Sequence, residues 1–267
     1  MKKIAGIGKT SRKNLSKVIR EAKGGFVTCH TVTQALKISP QKARAHITLW
    51  IKSGWLQKIR KGLYLPLDVA AIPGNQTEDP WIIANEIFSP CYIGGFSAAN
   101  YWDFTEQIFE STIVISSRHF NKKNQTISNL RFLLKSFTNR KIFGLKTVWQ
   151  NQFKIQISDP HKTIIDILDD PSLGGGIRTT IDILRAYLSS SHFSESELSI
   201  YAKKMKNKTI FKRLGFLISE INPNLSDIIN FCHLNISKGY SQLDPQVKGA
   251  RLIKKWNLWI PKGLFND

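Results

Sequence analysis

The sequence has few cysteines, and the three that it has form no recognisable pattern. Cys29, Cys91 and Cys232 lie far apart in the 267-residue chain, and no two of them have metal-ligand or redox spacing. An odd number of thiols also argues against a disulfide framework. We therefore expect a protein of the reducing cytoplasm that contains neither a disulfide framework nor a metal site.

Long apolar runs are also missing from the sequence. No window approaches the roughly 20 apolar residues that a membrane-spanning helix needs. Lys2 and Lys3 are not followed by an uninterrupted apolar segment, so we expect no signal peptide. There is no internal repeat and no low-complexity segment. These absences favour a folded cytoplasmic protein over a secreted, membrane or fibrous one.

Acidic residues are scarce at both ends of the chain, whose formal net charge is +20. Residues 1–68 contain 15 Lys and Arg against Glu21 and Asp68, whereas residues 69–199 have a net charge of −1. Residues 200–267 have a net charge of +8. Two separate basic blocks indicate a polyanion partner rather than a general adaptation for solubility. Neither block is a long amphipathic helix with an apolar insertion face, which disfavours a membrane surface.

The first 68 residues have the pattern of three helices followed by a β-hairpin. Apolar spacing predicts two helices between Ser11 and Leu36. Ser39 and Pro40 predict the start of a third, because Ser can cap free amides and Pro needs no N–H there. That helix runs to Ser53, and the segments WLQKI, RKG and LYLPL follow as strand, turn and strand. The order of these elements predicts a winged helix-turn-helix domain.

The third helix has an apolar stripe and an opposite face that suits the major groove of DNA. The stripe consists of Ala43, Ile47, Trp50 and Ile51. Arg can contact guanine through two hydrogen bonds, Gln can do so with adenine, and Ala or Thr methyls can meet a thymine methyl. The helix N-terminus also favours a phosphate. The residues expected to contact DNA from this helix are Ser39, Gln41, Lys42, Arg44, Ala45, Thr48 and Lys52.

The predicted hairpin carries further cations at its tip. Arg60 and Lys61 lie where Gly62 permits the turn, so both side chains project from a stiff ribbon. A wing of this kind can reach the minor groove or the phosphates beside the major groove that the helix occupies. We expect Tyr64 to add a hydrogen bond to a phosphate.

The rest of the chain predicts a linker over residues 69–80 and a larger α+β domain over residues 81–267. Short apolar segments such as STIVISS and FKIQISD predict sheet strands, and PHKTIIDILDDP predicts a helix. The glycines at positions 174–176 indicate a flexible joint. In the last 60 residues we expect one more helix and an irregular tail that contains tryptophan. The predicted fold class is therefore α+β.

Six segments spread over nearly the whole chain carry a family resemblance: Gly54 to Pro66, the helix that begins at Asp79-Pro80, Tyr92 to Phe104, Ile157 to Gly176, Lys212 to Leu217 and Gly239 to Pro261. These segments are similar to those of AbiEi-family antitoxins, which belong to bacterial abortive-infection, type IV toxin–antitoxin systems. At Asp103 and Phe104 the family more often has Gly-Leu, a difference that concerns packing more than function.

The resemblance implies a winged helix that binds inverted repeats in the promoter of a two-gene operon and represses it. It also implies a C-terminal domain that counters a cognate toxin with a nucleotidyltransferase-like fold, as part of phage defence. One winged helix per chain predicts two copies on an inverted repeat, and a monomer in free solution is compatible with this.

Motifs that carry catalytic chemistry are weak or absent. The segment GGFSAAN from Gly94 to Asn100 is similar to a nucleotide-positioning loop, but the following strand lacks the paired carboxylates that hold magnesium. No Gly-x-Ser-x-Gly motif occurs, and no His or Cys residues have ligand spacing. We expect no catalysis, no cofactor and no metal. Four acids cluster in the sequence without the pattern of a metal-dependent nuclease: Asp159, Asp166, Asp169 and Asp170. Asp159 with Pro160 is typical of a helix start, and Asp169 with Asp170 is typical of a helix end.

The basic C-terminal block allows several interpretations. Its cations alternate with Trp256 and Trp259, which can extend a DNA footprint or stack on RNA bases. The block can equally contact an acidic face of the toxin, or it can pack Trp256 inward and leave its Lys residues in solvent. The cations of this block are Lys203, Lys204, Lys206, Lys208, Lys212 and Arg213, followed by a candidate second basic surface of Lys248, Arg251, Lys254 and Lys255.

A second function from another class remains open at this point. The N-terminal domain can be a winged-helix interaction module that binds RNA or a protein partner without operator specificity. Binding that ignores sequence and weakens steeply with salt is typical of that alternative.

Overall fold

The computed structural model describes residues 8–22, 26–67, 79–127, 129–150, 153–248 and 251–265, except for the side chain of Arg60. The chain divides into two compact units, Met1–Asp79 with Thr126–Leu130, and Pro80–Gln125 with Arg131–Asp267. The fold mixes helices and strands, which confirms the α+β class. All but the last two positions of the predicted linker over residues 69–80 lie outside the described residues.

The N-terminal unit contains three helices and a two-stranded antiparallel hairpin. Residues with a positive φ follow its second and third helices. Lys37 after the second helix has a φ of 53°, and Gly54 beyond the third has a φ of 75°. The side chain of Thr28 caps the second helix by accepting a hydrogen bond from the amide of Thr31 at 3.1 Å. The elements are α1 (Lys9–Glu21), α2 (Cys29–Leu36), α3 (Pro40–Lys52), β1 (Leu56–Arg60) and β2 (Leu63–Pro66).

A small apolar core holds these elements together. Trp50 of α3 is fully buried, and its indole nitrogen donates to Ser11 Oγ at 2.9 Å, which ties α3 to α1. Val27 pairs with Tyr64 in an isolated antiparallel bridge, so the segment before α2 is fixed to the hairpin. Ile19, which lies beside the buried stripe of α1, is 38% exposed. The buried members of this core are Leu15, Val18, Val27, Val32, Ala35, Ala43, Ile47, Trp50 and Leu56.

The second unit is built on a six-stranded mixed sheet with the strand order β5-β6-β4-β3-β8-β7. The pairs β3–β8 and β4–β6 are parallel, and the pairs β3–β4 and β7–β8 are antiparallel. The elements from the start of this unit to its last sheet strand are α4 (Pro80–Phe88), β3 (Cys91–Ile93), α5 (Gly95–Tyr101), β4 (Ser111–Ser116), β5 (Asn124–Ile127), β6 (Leu130–Ser136), β7 (Leu145–Gln150) and β8 (Phe153–Ser158).

One buried helix organises the remainder of this unit. Helix α6 (Pro160–Asp169) packs against α5 and against three later helices, and its side chains from Lys162 to Leu168 are all buried. Asp159 begins this helix by accepting from the amide of Lys162 at 2.8 Å, as the Asp-Pro start signal predicts. The later helices are α7 (Ile177–Leu188), α8 (Glu195–Lys204), α9 (Lys208–Ile221) and α10 (Ser226–Asn235).

The prediction for the last 60 residues was wrong in two respects. This part of the chain contains two helices, α9 and α10, separated around Pro223, which cannot continue a helix. The tail is not irregular, because it forms a three-stranded sheet in which β11 (Leu258–Ile260) pairs with both β9 (Ser241–Gln242) and β10 (Arg251–Ile253). These strands are two or three residues long, too short for an alternating pattern to reveal them.

The three glycines at positions 174–176 do not form a flexible joint, contrary to the prediction. Gly174 ends a buried 3₁₀ turn, and a Cβ at that position would lie 2.6 Å from Ile167. Gly176 has a φ of 97°, and the next amide, that of Ile177, donates to the buried carboxylate of Asp244 at 3.1 Å. The segment is therefore a packed connection whose backbone requires glycine.

None of the helices in the described part of the chain combines the length and the hydrophobicity that are needed to cross a bilayer.

Candidate nucleic-acid interface

Helix α3 begins as its sequence predicts and buries one face. Ser39 Oγ accepts from the amide of Lys42 at 3.4 Å, and Pro40 occupies the first helical position. Ala43, Ile47 and Trp50 are between 0% and 3% exposed. Burial of these three residues fixes the rotation of the helix about its own axis, so the opposite face is fixed in solvent.

The residues predicted to contact DNA from α3 all lie on that outward side. The Thr48 hydroxyl donates to the carbonyl oxygen of Arg44 at 2.9 Å, so its methyl group is left for an external contact. Each of these residues is solvent-exposed in the structure: Ser39, Gln41, Lys42, Arg44, Ala45, Thr48 and Lys52. The outward side thus carries donors, acceptors and methyl groups on one helical surface, which is the chemistry of base-edge contact.

Leu49 was not among the predicted contact residues, yet it is 50% exposed on the same side of α3. It lies four residues after Ala45 and three before Lys52, a spacing that puts all three on one helical face. The exposure of Leu49 could have been predicted from the sequence, because residue 49 lies outside the core stripe of Ala43, Ile47 and Trp50.

The hairpin presents its tip to solvent. Lys61 is exposed, and Gly62 has a φ of 84° with no atom within 4 Å of the position that a Cβ would take. The side chain of Arg60 is outside the described residues. Tyr64 is half-buried against the helical core, and its backbone exchanges hydrogen bonds with Val27 at 2.7 and 2.9 Å. Lys61 is therefore the described tip cation, whereas Tyr64 is anchored at the base of the ribbon.

Negative charge is nearly missing from the part of this unit between the start of α1 and the end of β2. In the described residues up to position 67, Glu21 at the end of α1 is the one acidic residue. The cations of α3 and of the hairpin tip consequently have almost no local carboxylate to neutralise them. The unit therefore presents a positive field to an approaching polyanion.

The basic C-terminal block is divided by the structure into buried and exposed cations. Lys212 and Arg213 are 0% and 4% exposed, so they are not part of an interaction surface. Arg213 donates to the carbonyl oxygens of Leu168 at 2.7 Å and Gln242 at 2.9 Å, and Lys212 donates to Gly239. Both side chains tie α9 to neighbouring backbone, which is a structural role.

The candidate second basic surface retains its cations but loses one of its aromatic partners. Trp256 is 1% exposed and packs on Gly215, where a Cβ would lie 2.2 Å from its ring, so it cannot stack on a nucleic-acid base. Trp259 is half-buried. Trp256 therefore packs inward, as one of the interpretations predicts, whereas contact of the exposed cations with DNA or with an acidic face of the toxin stays a prediction. The cations at the surface are Lys248, Arg251, Lys254 and Lys255.

The four clustered acids are each engaged in contacts that support the fold. Asp159 accepts from the Tyr201 hydroxyl at 2.6 Å, and Asp169 forms an ion pair with Lys141 at 3.1 Å. Burial alone would raise the pKa of Asp170, but hydrogen bonds from Lys135 and Ser172 lower it. The fourth acid, Asp166, is fully buried and pairs with Lys162. Within the described residues, no three His, Cys, Asp or Glu side chains form a group able to hold a metal ion.

The segment GGFSAAN forms a strand-to-helix turn. Gly95 has a φ of 54°, and a Cβ there would lie 2.4 Å from the carbonyl oxygen of Leu173. Ser97 Oγ accepts from the amide of Ile113 at 2.9 Å, so the hydroxyl is used within the fold. The glycine is required for close packing of α5 against the 3₁₀ turn that precedes α7.

Comparison of the sequence with protein-family models gives no match, and no curated protein is significantly similar to it.

Proposed function

We propose that the N-terminal unit is a winged helix-turn-helix that binds double-stranded DNA, with α3 in the major groove and the β1–β2 hairpin as the wing. The observation that carries this proposal is the outward face of α3. It combines Gln41, Arg44 and Thr48, all solvent-exposed, in a stretch whose one acidic residue among the described positions 8–67 is Glu21. A surface that combines such side chains with little negative charge attracts a polyanion such as DNA.

The two parts of the unit have different tasks on a duplex. The side chains of α3 reach base edges, where a bidentate contact distinguishes one base pair from another. The capped N-terminus of α3 and Lys61 at the hairpin tip contact phosphates, which fix the position of the protein but carry no sequence information. The same duplex is thereby read by the helix and held by the wing.

We further propose that the chain is the antitoxin and autorepressor of a type IV toxin–antitoxin pair. This part rests on the resemblance to AbiEi-family antitoxins over nearly the whole chain. Under this proposal two copies occupy inverted repeats in the promoter of the chain's own operon, and the second unit counters a nucleotidyltransferase-like toxin. A downstream reading frame of that kind is the expected genomic context.

A mobility-shift experiment with the DNA upstream of the chain's own gene tests the proposal. We expect a retarded band that survives an excess of non-specific competitor, because base contacts add affinity to the phosphate contacts shared by all duplexes. Equal affinity for upstream DNA and for a shuffled duplex at every salt concentration would contradict operator recognition.

One observation favours a second candidate function, a module that binds RNA or a protein without operator specificity. Leu49 is half-exposed on the outward face of α3, and an exposed leucine suits an apolar partner surface as well as a thymine methyl. The two functions respond differently to Leu49→Gln. If the partner is DNA, we expect the variant to lose affinity only for sites that have an A·T pair at the contacted position. If the partner is a protein, the variant should no longer bind it, with or without DNA.

The wing makes a prediction of its own. Replacing Arg60 and Lys61 by alanine should weaken binding to operator and shuffled duplexes by the same factor, because the wing contacts phosphates. The slope of log K against log salt should become less steep by about 0.9 for each phosphate that the variant no longer neutralises. Fluorescence anisotropy at several salt concentrations measures both quantities.

The matched control for the wing removes the same two charges from the second unit, with Arg140→Ala and Lys122→Ala. Both residues are exposed, and this variant should keep the wild-type salt slope. If the wing variant lost operator preference to the same extent as changes on α3 do, the proposed division of tasks between wing and helix would be incorrect.

A further inference from the structure

Helices α8 and α10 pack side by side and leave an open groove of about 590 Å³ between them. Phe193, Ile228 and Phe231 contribute apolar surface to the groove, and Ser199 contributes to its α8 wall. The residues of this groove belong neither to α3 nor to the candidate second basic surface, and the proposed function assigns them no task.

Two large apolar side chains extend the groove into solvent. Leu234 is 83% exposed and follows the groove residue Phe231 by three positions, so both lie on one side of α10. Ile200 is 54% exposed and follows the groove residue Ser196 by four positions on α8. Isolated exposed apolar residues are ordinary, but two of them beside an apolar groove form a patch that is typical of an interaction surface.

The two ends of this groove have opposite charge. Glu195 and Asp227 lie at the starts of α8 and α10, and Glu195 accepts from the amide of Ile228 at 3.2 Å, so both helices start at the same end. Lys203 and Lys204 lie in the last turn of α8. The Lys203 ammonium is 4.8 Å from the centre of the Phe231 ring, which puts a cation at the other end of the groove.

We propose that this surface, the α8–α10 face, is where two copies of the chain associate about a two-fold axis. A two-fold axis that runs across the two helices brings a second copy in with its helices reversed, so the acidic end of each copy meets the basic end of the other. Ile200, near the middle of α8, then meets its counterpart across the axis, whereas Leu234, in the last turn of α10, meets the acidic end of the partner's groove, where Phe193 and Ile228 contribute apolar surface. The order of charges along the face is therefore complementary to itself, which singles out a second copy as the occupant.

The dimensions of the face predict weak association. A ten-residue helix is about 15 Å long, and a pair of helices is about 20 Å wide, so the face offers about 300 Å² per copy. Stable complexes bury about 800 Å² per partner. The chain is thus monomeric when dilute and pairs when concentrated. On an inverted repeat, adjacent copies would experience an effective concentration in the millimolar range, about where a weak contact becomes useful.

Sedimentation equilibrium of the full chain tests the inference directly. The experiment uses about 0.3 M salt, at which the Debye length is short enough to screen the repulsion between two copies of net charge +20. We expect the average mass of the wild type to rise with concentration, and Leu234→Glu to remain monomeric over the same range. The thermal unfolding curve of Leu234→Glu should be unchanged, since the side chain is in solvent.

The matched control is Ile108→Glu, which places the same charge at a position that is 95% exposed and is not part of the face. This variant should associate as the wild type does. A wild type that stays monomeric at every concentration, or a Leu234→Glu chain that associates normally, would overturn the inference.

Charge reversal tests the two-fold geometry itself. Asp227→Lys and Lys203→Glu should each weaken self-association about tenfold, because each introduces two symmetry-related like-charge contacts. A mixture of the two variants should regain association, since each altered residue then faces an opposite charge on its partner. The double variant should also regain it. If the mixture failed to associate, the proposed two-fold arrangement would be incorrect.

A partner of another kind would produce a different pattern. If the wild type stayed monomeric while Leu234→Glu abolished protection of cells from the toxin, the α8–α10 face would belong to another protein and the inference would be wrong. Failure of the proposed function is visible separately, because it would appear as absence of operator binding in a chain whose self-association is intact.

Discussion

The chain with Arg44→Ala and Thr48→Ala is expected to bind its own upstream DNA no better than a shuffled duplex. Both side chains lie on the outward face of α3, and neither contributes to the core. Loss of one bidentate contact removes about 1–3 kcal/mol of discrimination against the wrong base. At 1.4 kcal/mol for each factor of ten, that energy is about a 5- to 150-fold loss of preference from Arg44 alone.

Competition anisotropy with both duplexes measures this preference. The non-specific affinity should fall much less than the operator affinity, because the phosphate contacts of the wing and of the N-terminus of α3 are retained. The matched control is Arg20→Ala with Thr10→Ala, which removes the same residue types from exposed positions on α1. If the α3 variant kept the wild-type preference for the operator over the shuffled duplex, or if the α1 control lost that preference equally, base contact by α3 would be contradicted.

The second large effect is expected at Lys162, a charged residue that is 0% exposed inside the second unit. Its ammonium forms an ion pair with the carboxylate of Asp166, which is also 0% exposed. The same carboxylate accepts a hydrogen bond from the Tyr92 hydroxyl at 2.8 Å. Burial raises the pKa of Asp166, although the charge of Lys162 opposes the rise. Lys162→Met should reduce the free energy of unfolding by about 3–5 kcal/mol, because it leaves a buried carboxylate without its partner.

The destabilisation caused by Lys162→Met should depend on pH. Without the ammonium, the pKa of Asp166 in the folded state rises further above the unfolded value, so the folded chain binds the proton more tightly. Stability of the variant relative to the wild type should therefore improve as the pH falls and worsen as it rises. Urea unfolding at pH 5 and pH 8, two conditions about one and four units above the unfolded pKa of Asp, measures the difference.

The matched variant for this buried pair replaces both of its residues, with Lys162→Met and Asp166→Leu. It should recover most of the stability that the single variant lacks, because no charge then remains buried without a partner. Equal destabilisation by the single and double variants at both pH values would show that packing volume, and not the unpaired carboxylate, determines the cost.

Local signals were sufficient to predict the elements of the N-terminal unit. Ser39 and Pro40 specify the start of α3 through one cap and one fixed φ, and Gly54 specifies its end through a positive φ. Gly62 does the same for the turn of the hairpin. Each of these residues acts on its immediate neighbours, so its effect can be deduced without knowing what packs against it.

The same kind of signal was weak in α10 and in the C-terminal tail. Helix α10 contains Asn230, Cys232 and His233, which are poor helix formers, and its own N-cap residue, Leu225, provides no side-chain cap. It is helical because Ile228, Ile229 and Cys232 are buried, with α9 as its main packing partner. Tertiary burial here overrides local propensity, so the sequence pattern predicted one helix too few.

The sequence by itself determined the α+β class, the starts and ends of most helices, and the face of α3 that is turned to solvent. Only the tertiary structure decided which cations are buried. Lys162, Lys212 and Arg213 have the sequence pattern of surface charges, yet each is enclosed and satisfied by groups that include distant parts of the chain. The physical reason is that apolar spacing and caps act over a few residues. The cost of burying a charge is instead offset by partners that folding alone brings near.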